Sequence, residues 1–325
     1  MHLTCPACGF SWEYTGKAKY STTCPTCMRR VTFGRRKSET SEFGVSKREC
    51  HNSSAFYGRR IYAAAGEGSR GEEGENRVPE ECLDKVLCQD SRDLSVLPDG
   101  SVHLMVTSPP YNVGKTYDDD LDLEEYLSLL RTVFAEVHRV LVPGGRACVN
   151  VANVGRKPYI PYHSYIISLM HDLGFLMRGE VIWNKATGAG ISTAWGSWCS
   201  ASNPTLRDVH EYILVFSKGT YSRKKGEHEN TITRDQFLEW TKSIWTFPTV
   251  SAKKVGHPAP FPVELPFRCI QLYTFKGDVV LDPFAGAGST ALAAVQAGRH
   301  FVCVDSDEGY VGRAKERLRA EGWEG

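Results

Sequence analysis

The 325-residue sequence contains no run of 18 apolar residues, the length that an α-helix needs to cross a bilayer. It also lacks the apolar stretch of a signal peptide, because Cys5 and Cys8 lie where that stretch would be. No internal repeat is visible, and the net charge is only +1. These absences predict a soluble, cytoplasmic protein without a membrane partner. The length and the 41% hydrophobic composition suit one large or two modest domains with a sizeable core.

The small net charge conceals an uneven distribution of charge along the chain. Residues 1–60 contain eleven Lys and Arg against four Asp and Glu, a balance of +7 that leaves −6 for the remainder. Basic runs near the N-terminus, such as Arg35-Arg36-Lys37, could neutralise phosphates. Short basic runs are also common on solvated surfaces, so the sequence leaves both interpretations open.

Two C-P-x-C segments, Cys5 to Cys8 and Cys24 to Cys27, are separated by fifteen residues. Four thiolates in two such pairs fit a tetrahedral structural zinc site, and a segment of about forty residues needs a staple of this kind to fold. Two disulfides would suit an oxidising compartment, and a redox C-x-x-C would need a thioredoxin-like context. We therefore predict a zinc ribbon over residues 1–37, with Cys5, Cys8, Cys24 and Cys27 as the zinc ligands.

Residues 38–81 lose apolar periodicity and include a stretch rich in Gly, Glu and Ser at 65–76. Such a composition buries too little surface to offset the entropy of ordering the chain. We predict a flexible linker over 38–81 and a second domain over 82–325.

The apolar strand candidate Val102–Val106 is followed by Thr107-Ser108-Pro109-Pro110-Tyr111. Two prolines cannot continue a strand ladder, since neither has an N–H group and both restrict φ. The chain must leave the sheet here, at the carboxyl end of a strand, where open α/β sheets build their active sites. An ordinary Pro-Pro turn that closes a buried strand explains this pentapeptide equally well.

A second signal is the apolar strand candidate at 279–281, followed by a glycine-bearing loop and an Ala-rich helix candidate at 291–297. The residues of interest are Asp282, Phe284, Gly286, Gly288 and, seventeen residues after Gly288, Asp305 at the end of the next strand candidate. Glycines between a strand and a helix let the backbone approach a ligand, and an acid on the next strand typically binds ribose hydroxyls.

Together, S-P-P-Y, F-x-G-x-G and Asp305 resemble the S-adenosylmethionine-dependent amino-methyltransferases of DNA, in the circularly permuted order where S-P-P-Y comes first. The resemblance covers about Leu83 to the C-terminus. It implies catalytic roles for Ser108, Pro109, Pro110 and Tyr111, and cofactor binding by Asp282, Phe284, Gly286, Gly288 and Asp305. It also implies that Asp90, at the end of a strand candidate, meets the adenine end of the cofactor; a helix N-cap is the alternative for Asp90.

The fold that we predict is an α/β doubly wound, mostly parallel sheet with a small N-terminal zinc ribbon. Leucine, phenylalanine and valine side chains recur at spacings of three and four between Leu123 and Leu141, which predicts a helix that packs on the sheet. Pro143-Gly144-Gly145 should stop this helix, and 146–151 reads as the next strand. Within 185–250, tryptophans and a basic run at Arg223-Lys224-Lys225 suit nucleic acid, and by position this region resembles a target-recognition segment.

The resemblance implies methyl transfer to a flipped cytosine at N4, with double-stranded DNA as partner and a cognate restriction enzyme as a further candidate. Ser108 stands where adenine-N6 enzymes usually carry Asp or Asn, and the H-P-A-x-F-P form that begins at His257 also resembles the cytosine-N4 branch. Three alternatives remain: an adenine-N6 enzyme, a methyltransferase of RNA or a protein amide, and a DNA-binding protein with an inactive methyltransferase domain.

Overall fold

The computed structural model describes residues 1–18, 21–33, 38–39, 51–52, 57–63, 74–112, 120–185, 196–250 and 261–323. The chain divides into two compact units, Met1–Gly66 and Glu67–Gly325. The second unit therefore begins before the predicted boundary at residue 82. Within it, the backbone N–H of Asn76 donates to the Gly100 carbonyl, and Val78 is buried. Three parts of the predicted linker, at 40–50, 53–56 and 64–73, lie outside the described residues.

The first unit contains two antiparallel hairpins, which are formed by β1 (His2–Thr4) with β2 (Ser11–Glu13) and β3 (Ser21–Thr23) with β4 (Arg30–Thr32). Each hairpin is closed by one of the C-P-x-C segments, and the two turns have the same backbone geometry. Gly9 N–H donates to the Cys5 carbonyl at 2.9 Å, and Met28 N–H donates to the Cys24 carbonyl at 3.0 Å. Gly9 and Met28 both have left-handed backbone, with φ of +73° and +57°.

Farther along the first unit, the structure describes short pieces only. They are the parallel strand pair β5 (Ser38–Glu39) and β6 (His51–Asn52) and the helix α1 (Arg60–Ala63).

The second unit is built on an eight-stranded sheet within the described residues. Its strands are β7 (Lys85–Cys88), β8 (Val102–Thr107), β9 (Leu141–Val151), β12 (Phe175–Asn184), β13 (His210–Lys218), β14 (Ile244–Thr246), β15 (Val279–Asp282) and β16 (His300–Asp305). The order across the sheet is β14-β12-β13-β9-β8-β15-β16-β7. Strand β13 runs antiparallel to β12 and β9, and the other neighbouring pairs are parallel. The predicted α/β class with a mostly parallel sheet is confirmed.

Helices cover both faces of this sheet. They are α2 (Leu123–Val140), α3 (Tyr162–Asp172), α4 (Arg234–Trp240), α5 (Glu264–Tyr273), α6 (Ser289–Ala297) and α7 (Glu308–Ala320), and a small hairpin, β10 (Val154–Gly155) with β11 (Tyr159–Ile160), follows β9. The predicted stripe buries Leu130, Phe134 and Val137 of α2, and a capping box between Asp122 and Glu125 starts that helix. One hydrophobic cluster contains side chains of α2 and α3, and the other contains side chains of α5, α6 and α7. None of the described helices is long and apolar enough to cross a bilayer.

The predicted stop at Pro143-Gly144-Gly145 is placed differently in the structure. Helix α2 ends at Val140, and strand β9 begins at once with Leu141, so these three residues lie inside a strand. The pairing with β8 shifts register between Val102 and Leu104, which indicates a bulge, and Gly144 there has φ of +78°. The glycines that were expected to stop the helix thus lie in a bulge of β9.

Candidate active site and candidate metal centre

The two predicted segments of the active site meet at the carboxyl ends of β8 and β15, which are neighbouring parallel strands. The hydroxyl of Thr107 donates to Asp282 Oδ1 at 2.6 Å, and the hydroxyl of Thr290 donates to Asp282 Oδ2 at 2.6 Å. The backbone N–H of Phe284 donates to Oδ1 at 3.1 Å. A single buried carboxylate thus joins the strand of the S-P-P-Y turn to the glycine loop.

The environment of Asp282 disfavours its charge. Complete burial raises the pKa of this carboxyl to about 6, although the hydrogen bonds from Thr107, Thr290 and Phe284 favour the ionised form. Its position also differs from the prediction, since the side chain lies beneath the loop and does not line the cavity. In this structure Asp282 anchors the two segments.

A cavity of about 920 Å³ opens at this edge of the sheet. The predicted site residues that line it are Asp90, Ser108, Pro109, Pro110, Tyr111, Phe284, Gly286 and Asp305. Helix α2 contributes a further wall, which includes Glu124, Ser128 and Thr132. The structure therefore brings the S-P-P-Y turn and the glycine loop to one cavity, although they are far apart in sequence.

Asp305 holds the glycine loop from the end of β16. Its Oδ2 accepts a hydrogen bond from Gly286 N–H at 2.8 Å, and its Oδ1 accepts one from Asp307 N–H at 3.0 Å. Burial raises the pKa of Asp305, against the effect of these two N–H groups. Each oxygen keeps a further lone pair, so the carboxylate can still accept hydrogen bonds from a ligand in the cavity.

Gly288 does not line the cavity either. It is the N-cap of α6 with φ of +75°, and a Cβ on it would lie 2.9 Å from the Cβ of Ala314 in α7. Its role in this structure is to let the two helices approach closely.

Asp90 lies at the cavity wall after β7 and is paired with Arg92. The Arg92 side chain reaches the carboxylate at 2.5 Å, and the backbone N–H of Arg92 donates to it at 2.9 Å. These interactions lower the pKa of Asp90. No helix follows among residues 91–112, so the alternative of a helix N-cap is wrong.

Behind the S-P-P-Y turn lies a polar cluster that the sequence reasoning missed. Ser108 Oγ is 3.1 Å from the Tyr111 hydroxyl. Asn150 of β9 contacts both hydroxyls, and Glu211 of β13 contacts that of Tyr111. Lys185 forms an ion pair with Glu211. A signal was present, because Asn150 lies between Val149 and Val151, and Glu211 directly precedes the largely apolar run 212–216. Desolvation, followed by the charge of Glu211, raises the pKa of Tyr111 well above its usual value.

The predicted target-recognition segment is only partly a surface feature. Trp240 and Trp245 are buried, and Arg223 is a buried ion-pair partner of Asp278, whereas Trp198 is 70% exposed. Two further parts of the predictions fall on residues outside those described, namely Trp195 and the start of the H-P-A-x-F-P form, His257 to Pro260. Phe261, which continues that form, lines the cavity.

The four cysteines of the first unit form a compact cluster, with all ligand atoms within 4.8 Å of one another. The Sγ atoms of Cys5 and Cys27 are 3.5 Å apart, and those of Cys8 and Cys24 are 3.7 Å apart. Disulfide bonds would require about 2.05 Å, whereas two sulfur ligands of a tetrahedral zinc lie about 3.8 Å apart. Desolvation opposes ionisation of Cys24, but the backbone N–H groups of Cys27 and Thr26 help to lower its pKa to about 7. The geometry and the donor atoms fit zinc.

Comparison with known proteins gives a consistent result for the second unit. Residues 102–316 match the family N6_N4_Mtase, described as DNA methylase. The chain is 30% identical over 268 residues to the Type II methyltransferase M.MjaI of Methanocaldococcus jannaschii, which covers 69% of this chain and 87% of that protein.

Solved structures agree with this match. TTHA0409 of Thermus thermophilus, described as a DNA modification methylase and complexed with S-adenosyl-L-methionine, has 33% identity and a TM-score of 0.59. The alignment covers 73% of this chain and 95% of TTHA0409. The PvuII DNA methyltransferase (cytosine-N4-specific) aligns over 72% of this chain and 85% of its own, with a TM-score of 0.57. At 21% identity, the PvuII alignment shows a shared fold only.

Proposed function

The chain belongs to the N6/N4 DNA methylase family, and we propose that it transfers a methyl group from S-adenosylmethionine to the exocyclic N4 amine of a cytosine in double-stranded DNA. We also propose that this cytosine lies in a specific sequence and is flipped out of the duplex. The observation that carries the proposal is the single cavity lined by both the S-P-P-Y turn and the Asp305 loop.

The cavity residues suit S-adenosylmethionine. Asp305 would accept hydrogen bonds from ribose hydroxyls, Gly286 would let the loop backbone approach the cofactor, and Asp90 would face the adenine end. A volume of about 920 Å³ lies within the usual range for cofactor pockets. When bound, S-adenosylmethionine supplies an electrophilic methyl group on a sulfonium, and the electrons of the broken C–S bond stay on sulfur.

The S-P-P-Y turn would act on the base. A cytosine amine is a weak nucleophile because its lone pair is delocalised into the ring, and acceptors aimed at its two hydrogens shift the nitrogen toward tetrahedral geometry. Ser108 Oγ and the Pro109 carbonyl would be these acceptors, and Tyr111 would stack on the flipped base. The nitrogen gains the methyl group and releases one proton to solvent, so the protein contributes mainly positioning and electrostatic stabilisation.

The choice of cytosine over adenine rests on resemblance in two segments. Ser108 is a short neutral hydroxyl where adenine-N6 enzymes usually carry Asp or Asn, and the segment from His257 resembles the cytosine-N4 branch. Both bases present an exocyclic amine to the same acceptors, which makes adenine-N6 methylation the alternative outcome of the test.

We further propose that the first unit is a zinc ribbon with one structural zinc bound by Cys5, Cys8, Cys24 and Cys27. We also propose that the second unit is circularly permuted, since its S-P-P-Y turn precedes the glycine loop in the chain. A cognate restriction enzyme and a cytoplasmic location remain predictions.

The deciding experiment identifies the labelled nucleoside. DNA treated with the enzyme and methyl-labelled cofactor is digested, and the nucleosides are separated by mass spectrometry. We expect N4-methylcytosine, lost in the variants Ser108→Ala and Pro109→Ala and retained in the control Ser95→Ala, at an exposed serine that does not line the cavity. N6-methyladenine as the main product would overturn the choice of base.

The cofactor assignment has its own measurement. By calorimetry, Asp305→Ala and Gly286→Trp should bind S-adenosylmethionine more weakly than the unaltered protein, while zinc content stays the same. Unchanged affinity in both variants would contradict the placement of the cofactor at this loop.

A further inference from the structure

Glu211 is a buried carboxylate directly behind the S-P-P-Y turn. Only 8% of the residue is exposed. A charged residue is unexpected at this place, because the next buried residues of β13 are the apolar Ile213, Leu214 and Val215. Removing a charged carboxylate from water carries a large free-energy cost, so such a residue persists only where its partners compensate. An apolar residue would serve the packing of the sheet equally well.

The partners of Glu211 come from two neighbouring strands. Lys185, which directly follows β12, forms an ion pair with Oε1. The amide nitrogen of Asn150, in β9, donates to Oε2 at 2.6 Å. Since a carboxylate accepts hydrogen bonds only, this contact fixes which end of the Asn150 amide faces Glu211.

The third partner is Tyr111 of the turn itself. Its hydroxyl donates to Glu211 Oε2 at 3.4 Å, a long contact. The raised pKa of Tyr111 keeps the phenol protonated, so its O–H group needs an acceptor. The Asn150 amide nitrogen, 3.4 Å from the same hydroxyl, can only donate. Glu211 and Ser108 Oγ can both accept this proton, and the charged carboxylate of Glu211 is the stronger acceptor.

The direction of this hydrogen bond determines the next one. If the Tyr111 proton points to Glu211, the Tyr111 oxygen is left to accept the hydroxyl proton of Ser108, 3.1 Å away. Asn150 Nδ2 lies 3.4 Å from Ser108 Oγ and can donate to one of its lone pairs, and the other lone pair can then face the cavity. In the opposite direction, the Ser108 oxygen would be occupied by the Tyr111 proton.

We infer that Glu211, held by Lys185 and Asn150, is a positioning residue that orients the Tyr111 and Ser108 hydroxyls so that Ser108 Oγ accepts a hydrogen bond from the target amine. This inference rests on the proposed function, because it concerns how Ser108 meets the amine. It assigns a role in catalysis to a residue that does not touch the substrate.

The test is a double-mutant cycle between Glu211 and Tyr111. Glu211→Gln keeps the shape but removes the charge, and Tyr111→Phe keeps the ring but removes the hydroxyl that transmits the effect. We expect Glu211→Gln to lower kcat roughly tenfold to hundredfold while the KM for DNA and the Kd for cofactor change little. In the Tyr111→Phe background, the same substitution should change kcat less than about twofold.

Two further variants keep the test decisive. Glu180→Gln alters an exposed glutamate of the adjacent strand β12 and should leave kcat unchanged. If Glu211→Gln fails to fold, the pair Lys185→Met with Glu211→Leu replaces the ion pair by apolar side chains, which proteins often tolerate. This pair should show the same loss of kcat and the same dependence on the Tyr111 hydroxyl.

A purely structural Glu211 predicts a different pattern. It would lower the melting temperature and reduce kcat by the same factor with or without the Tyr111 hydroxyl, and that result would overturn the inference. Full activity of Glu211→Gln beside an inactive Ser108→Ala would also overturn it, while leaving the proposed function intact. Full activity of Ser108→Ala would instead contradict the proposed function itself.

Discussion

The cysteine hairpins of the first unit and the sheet of the second unit are held together in opposite ways. In the hairpins, the buried cluster contains Cys5, Cys24 and Val31, with Trp12 and Cys27 packed against it. In the sheet, two extensive hydrophobic clusters cover the two faces. With the proposed zinc, the first fold depends on four ligand atoms at one point, whereas the second depends on many apolar side chains. Single substitutions should therefore have very different consequences in the two units.

The largest effect is expected from Cys24→Ser. A tetrahedral site that loses one thiolate binds zinc much more weakly, and zinc contributes on the order of 10 kcal/mol to the folding of small zinc domains. We expect loss of bound zinc and of the dispersed NMR signals of residues 1–33, with unchanged cofactor binding. Cys199→Ser, at an exposed cysteine of the second unit, is the control. A full complement of zinc in Cys24→Ser would contradict the metal site.

Phe134→Ala should weaken the sheet unit without unfolding it. Phe134 is fully buried between α2 and the sheet, and the loss of such a side chain typically costs about 3–5 kcal/mol. Denaturant unfolding monitored on the second unit measures this cost. Phe237→Ala, at a phenylalanine that is half exposed on α4, should cost far less. A Phe134→Ala protein that no longer folds would contradict the view that many apolar side chains together stabilise the sheet.

The buried Asp282 gives the sheet a pH dependence. Its pKa is about 6 in the folded protein and about 4 in an unfolded chain, so its ionisation costs the folded state about 3 kcal/mol. Below about pH 4 the carboxyl is protonated in both states and the cost is absent. As pH rises from 4 to 6, the unfolded state releases this proton first and stability falls; above about 6 the cost is constant.

The measurement is the free energy of unfolding against pH for the unaltered protein and for Asp282→Asn. The free energy of unfolding of Asp282→Asn, relative to that of the unaltered protein, should increase as the pH rises from 4 to 6. Asp172→Asn, at an exposed aspartate at the end of α3, should show no such trend. A difference for Asp282→Asn that is flat across this range would contradict the raised pKa.

The smallest effect tests the likeness of the two cysteine turns. Gly9 and Met28 occupy equivalent left-handed positions, where a residue with a Cβ costs about 1 kcal/mol. Met28→Gly should therefore stabilise the first unit slightly, and Gly9→Ala should destabilise it, since a Cβ on Gly9 meets no neighbouring atom and only backbone strain counts. Thermal unfolding of the zinc-loaded protein should give shifts of opposite sign, and shifts of the same sign would contradict the equivalence.

Much of the sheet could be predicted from the sequence, because burial leaves a direct pattern. Strand β8 covers the predicted Val102–Val106, and the turn after it follows from the two prolines. The antiparallel direction of β13 was not predictable, since an apolar run is the same in both orientations. The bulge at Gly144 was not predictable either, because glycine is compatible with a helix stop and with a bulge.

The site was less predictable where a side chain has several possible partners and the three-dimensional structure determines which one it contacts. Asp282 ends a strand beside the cavity, yet it turns to Thr107 on the adjacent strand, and only the three-dimensional pairing determines that choice. Trp240 and Trp245 were candidates for contact with bases, and they pack in the core. Glu211 gave no motif, since its partners are contributed by other strands that are distant in sequence.

The hydrogen bond between Thr107 and Asp282 spans 175 positions of the chain, and this separation has a consequence during synthesis. At roughly 5–20 residues per second, a ribosome needs roughly 10 to 35 s to travel from one residue to the other. Throughout that interval the apolar edge of β8 stays unpaired, because β15, its neighbour in the finished sheet, has not yet been synthesised. We expect the nascent chain to depend on chaperones in this window, because an unpaired apolar edge is a site of aggregation.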